Sequence, residues 1–291
     1  MRQFSEGAFA KVNLTLDVLG TREDGYHNIR SIMQTVSLHD DVIVNVETGA
    51  PWQVHCYREE LPADAKEEDE PALVTEGLPQ DADNLAWKAA EAFFARTGKE
   101  SGGLEIFINK RIPMQAGLGG GSADAAATLR ALNVCWGLGR SVEELAALGA
   151  RIGSDVPALV LAQETGGPVW MEGRGERVRA AEASQIPPFP FLVLVHPGVA
   201  SSTAEVYARC TPRTTPPAGA VNDLQAAACA GHPEIATALA ALVAVGAQRV
   251  MMSGSGSVVY GFAPDAASAQ AMAARMRALG CSAWVTRAGC P

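Results

Sequence analysis

Residues 113–127 read PMQAGLGGGSADAAA, and this one stretch restricts the fold more than any other segment of the chain. Gly117, Gly119, Gly120 and Gly121 can take backbone angles closed to other residues, so that consecutive N–H groups turn toward one anion. The run ADAAATLRAL that follows contains no helix breaker, and it predicts a helix capped by Ser122 whose unpaired first-turn N–H groups face the loop. Upstream, LEIFINK alternates as a strand does, and Pro113 separates it from the glycines. Strand, glycine loop and helix in that order frame a phosphate site, although glycines serving only close packing would leave the same letters. Neither standard nucleotide motif is matched. Ser122 is followed by Ala123 and Asp124, whereas a Walker A loop ends in Gly-Lys-Ser/Thr, and a dinucleotide fingerprint would open near the start of a βαβ unit.

A chain of 291 residues with 48% hydrophobic and 19% charged side chains has the composition of a compact two-domain protein, and no apolar run reaches membrane-spanning length. The N-terminal MRQFSEGAFAKVNLTLDVLG has no apolar leader before a small-residue cleavage site, so a cytoplasmic protein without membrane partners is expected. Six scattered cysteines without a CxxC pair argue against a zinc or disulfide scaffold, and the spacing of His39, His55 and His232 forms no metal pattern. A net charge of -9 argues against nucleic-acid binding but is compatible with a local positive pocket. With only five lysines in the chain, Lys11 and Lys110, each beside an apolar strand, are drawn out as candidates.

Val12, Leu14, Leu16 and Val18 alternate with Asn13, Thr15 and Asp17 as in a half-buried strand, with Lys11 and Asn13 on its polar face. An Asp24-Gly25 turn follows, then IRSIMQTVSL and DDVIVNVE as further strands. Seven acids in the twelve residues EELPADAKEEDE mark a solvated surface excursion between Arg58 and Asp83. Asp83 or Asn84 is placed to cap a helix running through Phe94, and Ser141 with Glu144 spells a capping box. Asp155 falls at a loop or helix start between Gly153 and Pro157. The glycines and proline of QETGGPVWMEGRGE place a boundary that divides the chain into residues 1–167 and 168–291. Strands and helices alternate beyond it, from FLVLVHPG through a proline-rich linker to SAWVT, as a small α+β layer.

AKVNLTLDVLGTREDGYHNIRSIMQTVSLHD, PMQAGLGGGSADAAATLRALN, IGSDVPALV, HPGVASSTAEVY and MMSGSGSVVYGFA resemble, in this order, the GHMP small-molecule kinases. Within them DGYHN, GSDVP and HPGV are closest to the members acting on a cytidyl diphosphate ester, 4-diphosphocytidyl-methylerythritol. The resemblance implies a two-domain α+β fold of mixed sheets packed with helices, with the glycine-rich phosphate loop between the domains. It implies ATP as phosphoryl donor, Mg²⁺ arriving with the nucleotide, and a monomer or weak homodimer.

By the same resemblance, Asp155 and Lys11 face the substrate hydroxyl, the carboxylate accepting its proton and the ammonium offsetting phosphoryl charge. Read alone, Asp155 is more readily a helix cap before Pro157 than a base, and Lys11 an ordinary strand-edge lysine. On the nucleotide side the resemblance assigns Asn84, Leu85, Lys110 and the loop from Pro113 through Gly117, Leu118, Gly119, Gly120, Gly121, Ser122 and Ala123. On the acceptor side Tyr26 and Tyr207 enclose a cytosine, His27 reads its edge, Asn13 lies near the methylerythritol hydroxyls, and Gly254 and Gly256 admit the diphosphate. Without the resemblance Tyr26 and His27 would be turn residues and Tyr207 a core aromatic. No protein ligand for the metal is assigned. A homoserine, mevalonate or sugar kinase would share the glycine loop but not need DGYH. A catalytically silent nucleotide-binding regulator would keep the loop without needing both Lys11 and Asp155, and a hydride-transferring dinucleotide enzyme would need a differently placed loop.

Overall fold

A computed structural model describes residues 2–61, 71–212 and 221–289. The core of the acidic stretch (62–70), most of the proline-rich linker (213–220) and Cys290 lie outside the described residues. The chain is α+β and divides into two compact units, each built from three stretches of sequence. Unit 1 comprises Met1–Phe9, His39–Ile112 and Gly120–Val160, and unit 2 comprises Ala10–Leu38, Pro113–Gly119 and Leu161–Pro291. Two long strands, β1 (Arg2–Thr21) and β2 (His27–Val46), contribute residues to both.

In unit 1 the end of β2 pairs antiparallel with β5 (Leu104–Asn109), which runs parallel to β3 (Gln53–Glu60). The acidic excursion is more ordered at its ends than its composition implies. Glu60 and Arg58 pair with Ala72 and Val74 of a short strand β4 (Ala72–Val74), so the ladder closes the base of the excursion. Two helices lie in the same unit, α1 (Leu85–Thr97) and α2 (Gly120–Cys135). Asn84 caps α1 by accepting from the Ala86 N–H, and Gly98 ends it in the left-handed conformation. Helix α3 (Val142–Gly149) starts with the expected capping box of Ser141 and Glu144, and α4 (Val156–Thr165) starts directly after Asp155.

In unit 2 the first part of β2 pairs with β6 (Val169–Gly173), and β6 with β7 (Arg177–Ala180). A separate antiparallel sheet orders β11 (Ser282–Arg287), β8 (Phe191–His196), β10 (Val259–Ala263) and β9 (Gln248–Met252). Its core gathers Val193, Val195, Leu224, Ile235, Leu242, Met252 and Met276. Among the described residues no single helix is long and apolar enough to cross a membrane.

Two local expectations are corrected. IRSIMQTVSL and DDVIVNVE are one continuous strand, because Asp40 at their junction is fully buried and its carboxylate accepts from the Arg111 and Ile112 N–H groups. Helix α2 begins at Gly120 rather than after a Ser122 cap, because Gly117 and Gly119 with φ of 76° and 71° turn the chain into the helix earlier.

Candidate active site

In unit 2 the polar face of β1 is not solvated as its alternation implies. Lys11 is 3% exposed and Asn13 is 2% exposed. The Lys11 ammonium donates to Asn13 Oδ1 at 2.7 Å, Asn13 Nδ2 donates to Ser31 Oγ at 2.8 Å, and that hydroxyl donates to the Thr15 carbonyl. A buried charge tolerates this only when it is compensated or when a charged ligand completes the shell.

What covers Lys11 is backbone. A Cβ placed on Gly254 would lie 3.1 Å from Lys11 Nζ, 3.1 Å from the Gly117 carbonyl and 3.5 Å from Asn13 Oδ1. A Cβ on Gly117 would meet the Ser253 carbonyl at 2.1 Å. Gly117 is therefore required for close approach of two loops, one starting at Pro113 and the other reading SGSGS, as well as for its positive φ. The two are joined by hydrogen bonds from Val258 N to Ala116 O and from Ser253 Oγ to Gly117 O, and Lys11 N donates to Leu118 O. Asn222 Nδ2 donates to both Met252 O and Gly254 O, which fixes the second loop from behind. Gly256 has a φ of 84°, and a Cβ on it would lie 2.7 Å from Sδ of Met252, the last residue of β9.

Tyr26, His27 and Tyr207, the aromatics that the resemblance puts on the acceptor side, all fall in unit 2. His27 and Tyr207 lie with ring centroids 5.0 Å apart, while Tyr26 is 54% exposed and carries the Arg174 guanidinium 4.8 Å from its ring. Arg174 thus makes a cation–π contact with Tyr26.

Unit 1 assembles the start of α2. The Ser122 hydroxyl is 3.5 Å from where a Cβ on Gly153 would sit, so it faces the Gly153–Asp155 turn; Leu85 Cδ1 is 3.5 Å from the corresponding position on Gly121. Ala123 is fully buried. Asp155 occupies the position before α4 and its carbonyl accepts from Leu159 N.

Lys110 is committed to two carboxylates. Its ammonium donates to Asp40 at 2.5 Å and to Asp124 at 2.6 Å, and Asp40 also accepts from the N–H groups of Arg111 and Ile112. The triad pins the end of β5 and the entry of the loop to the first turn of α2, where a Cβ on Gly120 would lie 3.3 Å from Lys110 Nζ. Burial pushes the Asp124 carboxyl up to about 7, with Lys110 pulling it down and Asp40 pushing it up. An unfolded aspartate titrates near 3.9, so between about pH 4 and about pH 7 the folded chain holds a proton that the unfolded chain releases. The stabilisation from this group is full below that window and lost as pH rises through it. Thermal unfolding between pH 5 and 8 is expected to show a steeper decline for the wild type than for Asp124→Asn; equal slopes would discard the assignment.

Sequence reasoning missed Asp40, Asp124, Asn222, Ser253 and Arg174. Asp124 stands inside the glycine motif itself, two residues after Ser122, and was legible there as an acid in an alanine helix. The others lie on strands or loops without local pattern. Among the described residues no group of three histidine, cysteine or acidic side chains is placed to hold a metal.

The comparisons with known proteins follow this geometry. Residues 84–163 match the GHMP kinases N terminal domain and residues 218–280 match the GHMP kinases C terminal domain. A 4-diphosphocytidyl-2-C-methyl-D-erythritol kinase of Geobacter sp. is 36% identical over 291 residues, covering 95% of each chain. A crystal structure of 4-(cytidine 5'-diphospho)-2C-methyl-D-erythritol kinase superposes with a TM-score of 0.75 at 30% identity, covering 99% of this chain and 100% of that one. A homoserine kinase from Cytophaga hutchinsonii shares the fold, with a TM-score of 0.68 at 17% identity over 100% of this chain and 95% of that one. With matched segments in both halves and relatives aligned over nearly its whole length, the chain belongs to the 4-diphosphocytidyl-2-C-methyl-D-erythritol kinase family of the GHMP kinases.

Proposed function

We infer that this chain is an ATP-dependent small-molecule kinase that transfers a phosphoryl group to the C2 hydroxyl of 4-diphosphocytidyl-2-C-methyl-D-erythritol, a step of non-mevalonate isoprenoid synthesis. The observation that carries the reading is the buried Lys11 ammonium, hydrogen-bonded to Asn13 Oδ1 at 2.7 Å, beside Gly254, which in turn approaches Gly117. Such a cation is suited to offset charge on a transferring phosphoryl group.

Asp155 is the general base that orients the acceptor hydroxyl and takes its proton. Ser122 and the first-turn N–H groups of α2, from Gly120 through Ala123, hold donor phosphates, with Pro113, Gly117, Leu118 and Gly119 setting the loop. Leu85 walls the nucleotide, with Asn84 and Lys110 beside adenine and ribose. Tyr26, His27 and Tyr207 hold the cytosine, Asn13 the methylerythritol hydroxyls, and Gly254 and Gly256 the diphosphate. Residues 1–167 carry the nucleotide and catalytic functions in this reading and residues 168–291 complete the acceptor side. Mg²⁺ is expected to arrive with the nucleotide; among the described residues no group of three His, Cys or acidic side chains is placed to hold it, and no step is routed through a protein-held ion. The protein is expected to act in the cytoplasm as a monomer or weak homodimer.

The test is ATP consumption with Mg²⁺ and the cytidyl substrate beside mevalonate, homoserine and galactose, with phosphorus NMR of the product. A new phosphomonoester on the cytidyl substrate alone supports the reading, and turnover only on another acceptor removes the cytosine site. His27→Ala is expected to raise KM for the cytidyl substrate about tenfold or more, because a buried base edge loses its hydrogen-bond partner, while KM for ATP changes less than about twofold. Equal losses for both substrates would count against His27 as the cytosine reader.

A further inference from the structure

Unit 2 contains a cavity of about 290 Å³ behind the Lys11 strand, a volume at the low end for small-molecule sites. Its walls include the apolar Leu14, Pro187, Val250, Met251 and Phe262, with Thr15, Gln185, Arg249 and Tyr260 as the polar lining residues. None of these belongs to the groups assigned to nucleotide or acceptor.

Arg249 is placed there by an irregular ladder. Tyr260 pairs with Met251 and Phe262 with Gln248, so that two residues of β9, Arg249 and Val250, stand opposite the single Gly261. Arg249 has a φ of 47°, a left-handed conformation that an arginine side chain disfavours. Gly261 permits the arrangement, since a Cβ there would lie 2.7 Å from Ala247 Cβ and 3.2 Å from Val250 Cγ2. Bulges of this kind re-aim one side chain, and backbone strain at a non-glycine residue concentrates at ligand sites. The side chain so aimed is a cation. Among the described residues no carboxylate pairs with Arg249. Its charge reaches the floor of the cavity: burial raises the Tyr260 phenol, and Arg249 acts on it in the opposite sense. A largely apolar cavity whose only charged lining residue among those described is Arg249, with Thr15 and Gln185 as neutral polar groups, suits a molecule with an apolar body and one oxyanion head, since the planar fork of Arg matches carboxylate or phosphate oxygens.

The floor connects to the catalytic strand. Tyr260 OH donates to the Asn13 carbonyl at 2.9 Å, Leu14 is the next residue, and Asn13 Oδ1 is the acceptor for the Lys11 ammonium. We propose that this cavity is an accessory binding site for a small amphiphile carrying a single carboxylate or phosphate head, held by Arg249, whose occupancy shifts turnover through Tyr260 and Asn13. The binding part stands independently of which acceptor the enzyme phosphorylates.

The test uses the full-length protein with saturating nucleotide, titrated calorimetrically with hexyl phosphate, hexanoate and the headless control hexanol. Saturable one-to-one binding of hexyl phosphate or hexanoate is expected, at least about tenfold tighter than hexanol and weakened about tenfold or more in Arg249→Gln, the loss of a charge-assisted hydrogen-bonded pair. The ratio between the two headed probes identifies the preferred head. Arg249→Gly relaxes the backbone while removing the guanidinium, so it should retain or gain thermal stability and still lose binding. Absence of binding by all three probes, affinity unchanged in both variants, or displacement by raised ATP each overturns the site. Binding without any change in kcat or KM overturns its link to Lys11. If the kinase reading itself failed, no substrate would turn over, whereas calorimetric binding would still report on the cavity.

Discussion

Asp155→Asn is expected to lower kcat by roughly 100- to 10,000-fold, the range typical of a lost general base, while the dissociation constant for ATP changes by no more than about twofold. The substitution keeps the shape of the side chain and its place before α4, so any part it plays in starting that helix is largely kept. What disappears is the proton acceptor that the proposed role assigns to Asp155. The two uses of an aspartate at this position, as cap and as base, therefore separate cleanly in one variant. A cap alone would show as a lowered unfolding temperature with kcat nearly intact; a base shows as lost turnover at almost unchanged stability. Rapid-quench measurement of a single turnover checks it best, because product release could otherwise mask the chemical step. Unchanged turnover would sink the assignment of Asp155.

The second large effect is expected in stability. Lys110→Met should destabilise the fold by about 3–5 kcal/mol, because it leaves the buried carboxylates of Asp40 and Asp124 facing each other without a cation. Chemical denaturation of the variant measures the loss. Adding Asp124→Asn to Lys110→Met should recover a substantial part, since one of the two uncompensated charges is then removed, and the non-additivity of the pair reports their coupling. This experiment also weighs the nucleotide assignment of Lys110. A lysine whose main work were to touch adenine or ribose would raise KM for ATP in the variant and leave the unfolding free energy alone. The ion triad predicts the reverse order, with the glycine loop loosened as a consequence of lost anchoring.

Much of the architecture is legible in the letters because the relevant signals are local. The capping box at Ser141, the Asn84 cap, the Asp24-Gly25 turn and the strand at Leu104–Asn109 are each decided within a few residues, and they stand where local chemistry puts them. The strand at Ser282–Arg287 and helix α5 (Thr203–Arg209) are similarly readable. What is not legible is decided at a distance. Asp40 is one more acid in the letters until Lys110, seventy positions away, is placed against it. The polar face of β1 looks solvated until the glycines of two remote loops cover it. Gly117 looks like an anion-binding glycine, and only the 2.1 Å approach to the Ser253 carbonyl reveals that it also has a packing partner. The strand β9 and its bulge are hidden for the same reason: the irregularity is set by Gly261 on the neighbouring strand, not by anything within QRVMM.

The three-part makeup of each unit has a consequence for how the chain is made. Unit 2 needs Ala10–Leu38 from the beginning of the chain and β11 from its end. At ribosomal rates of about 5–20 residues per second, the stretch holding Lys11 emerges on the order of ten seconds or more before its last partners exist. During that interval its apolar positions have no native surface to cover them, and a newborn chain depends on holding factors or on speed. Truncation near the C-terminus should therefore harm yield far more than its distance from the first strand implies, and a slowed codon run late in the message should favour aggregation over a misshapen but soluble product.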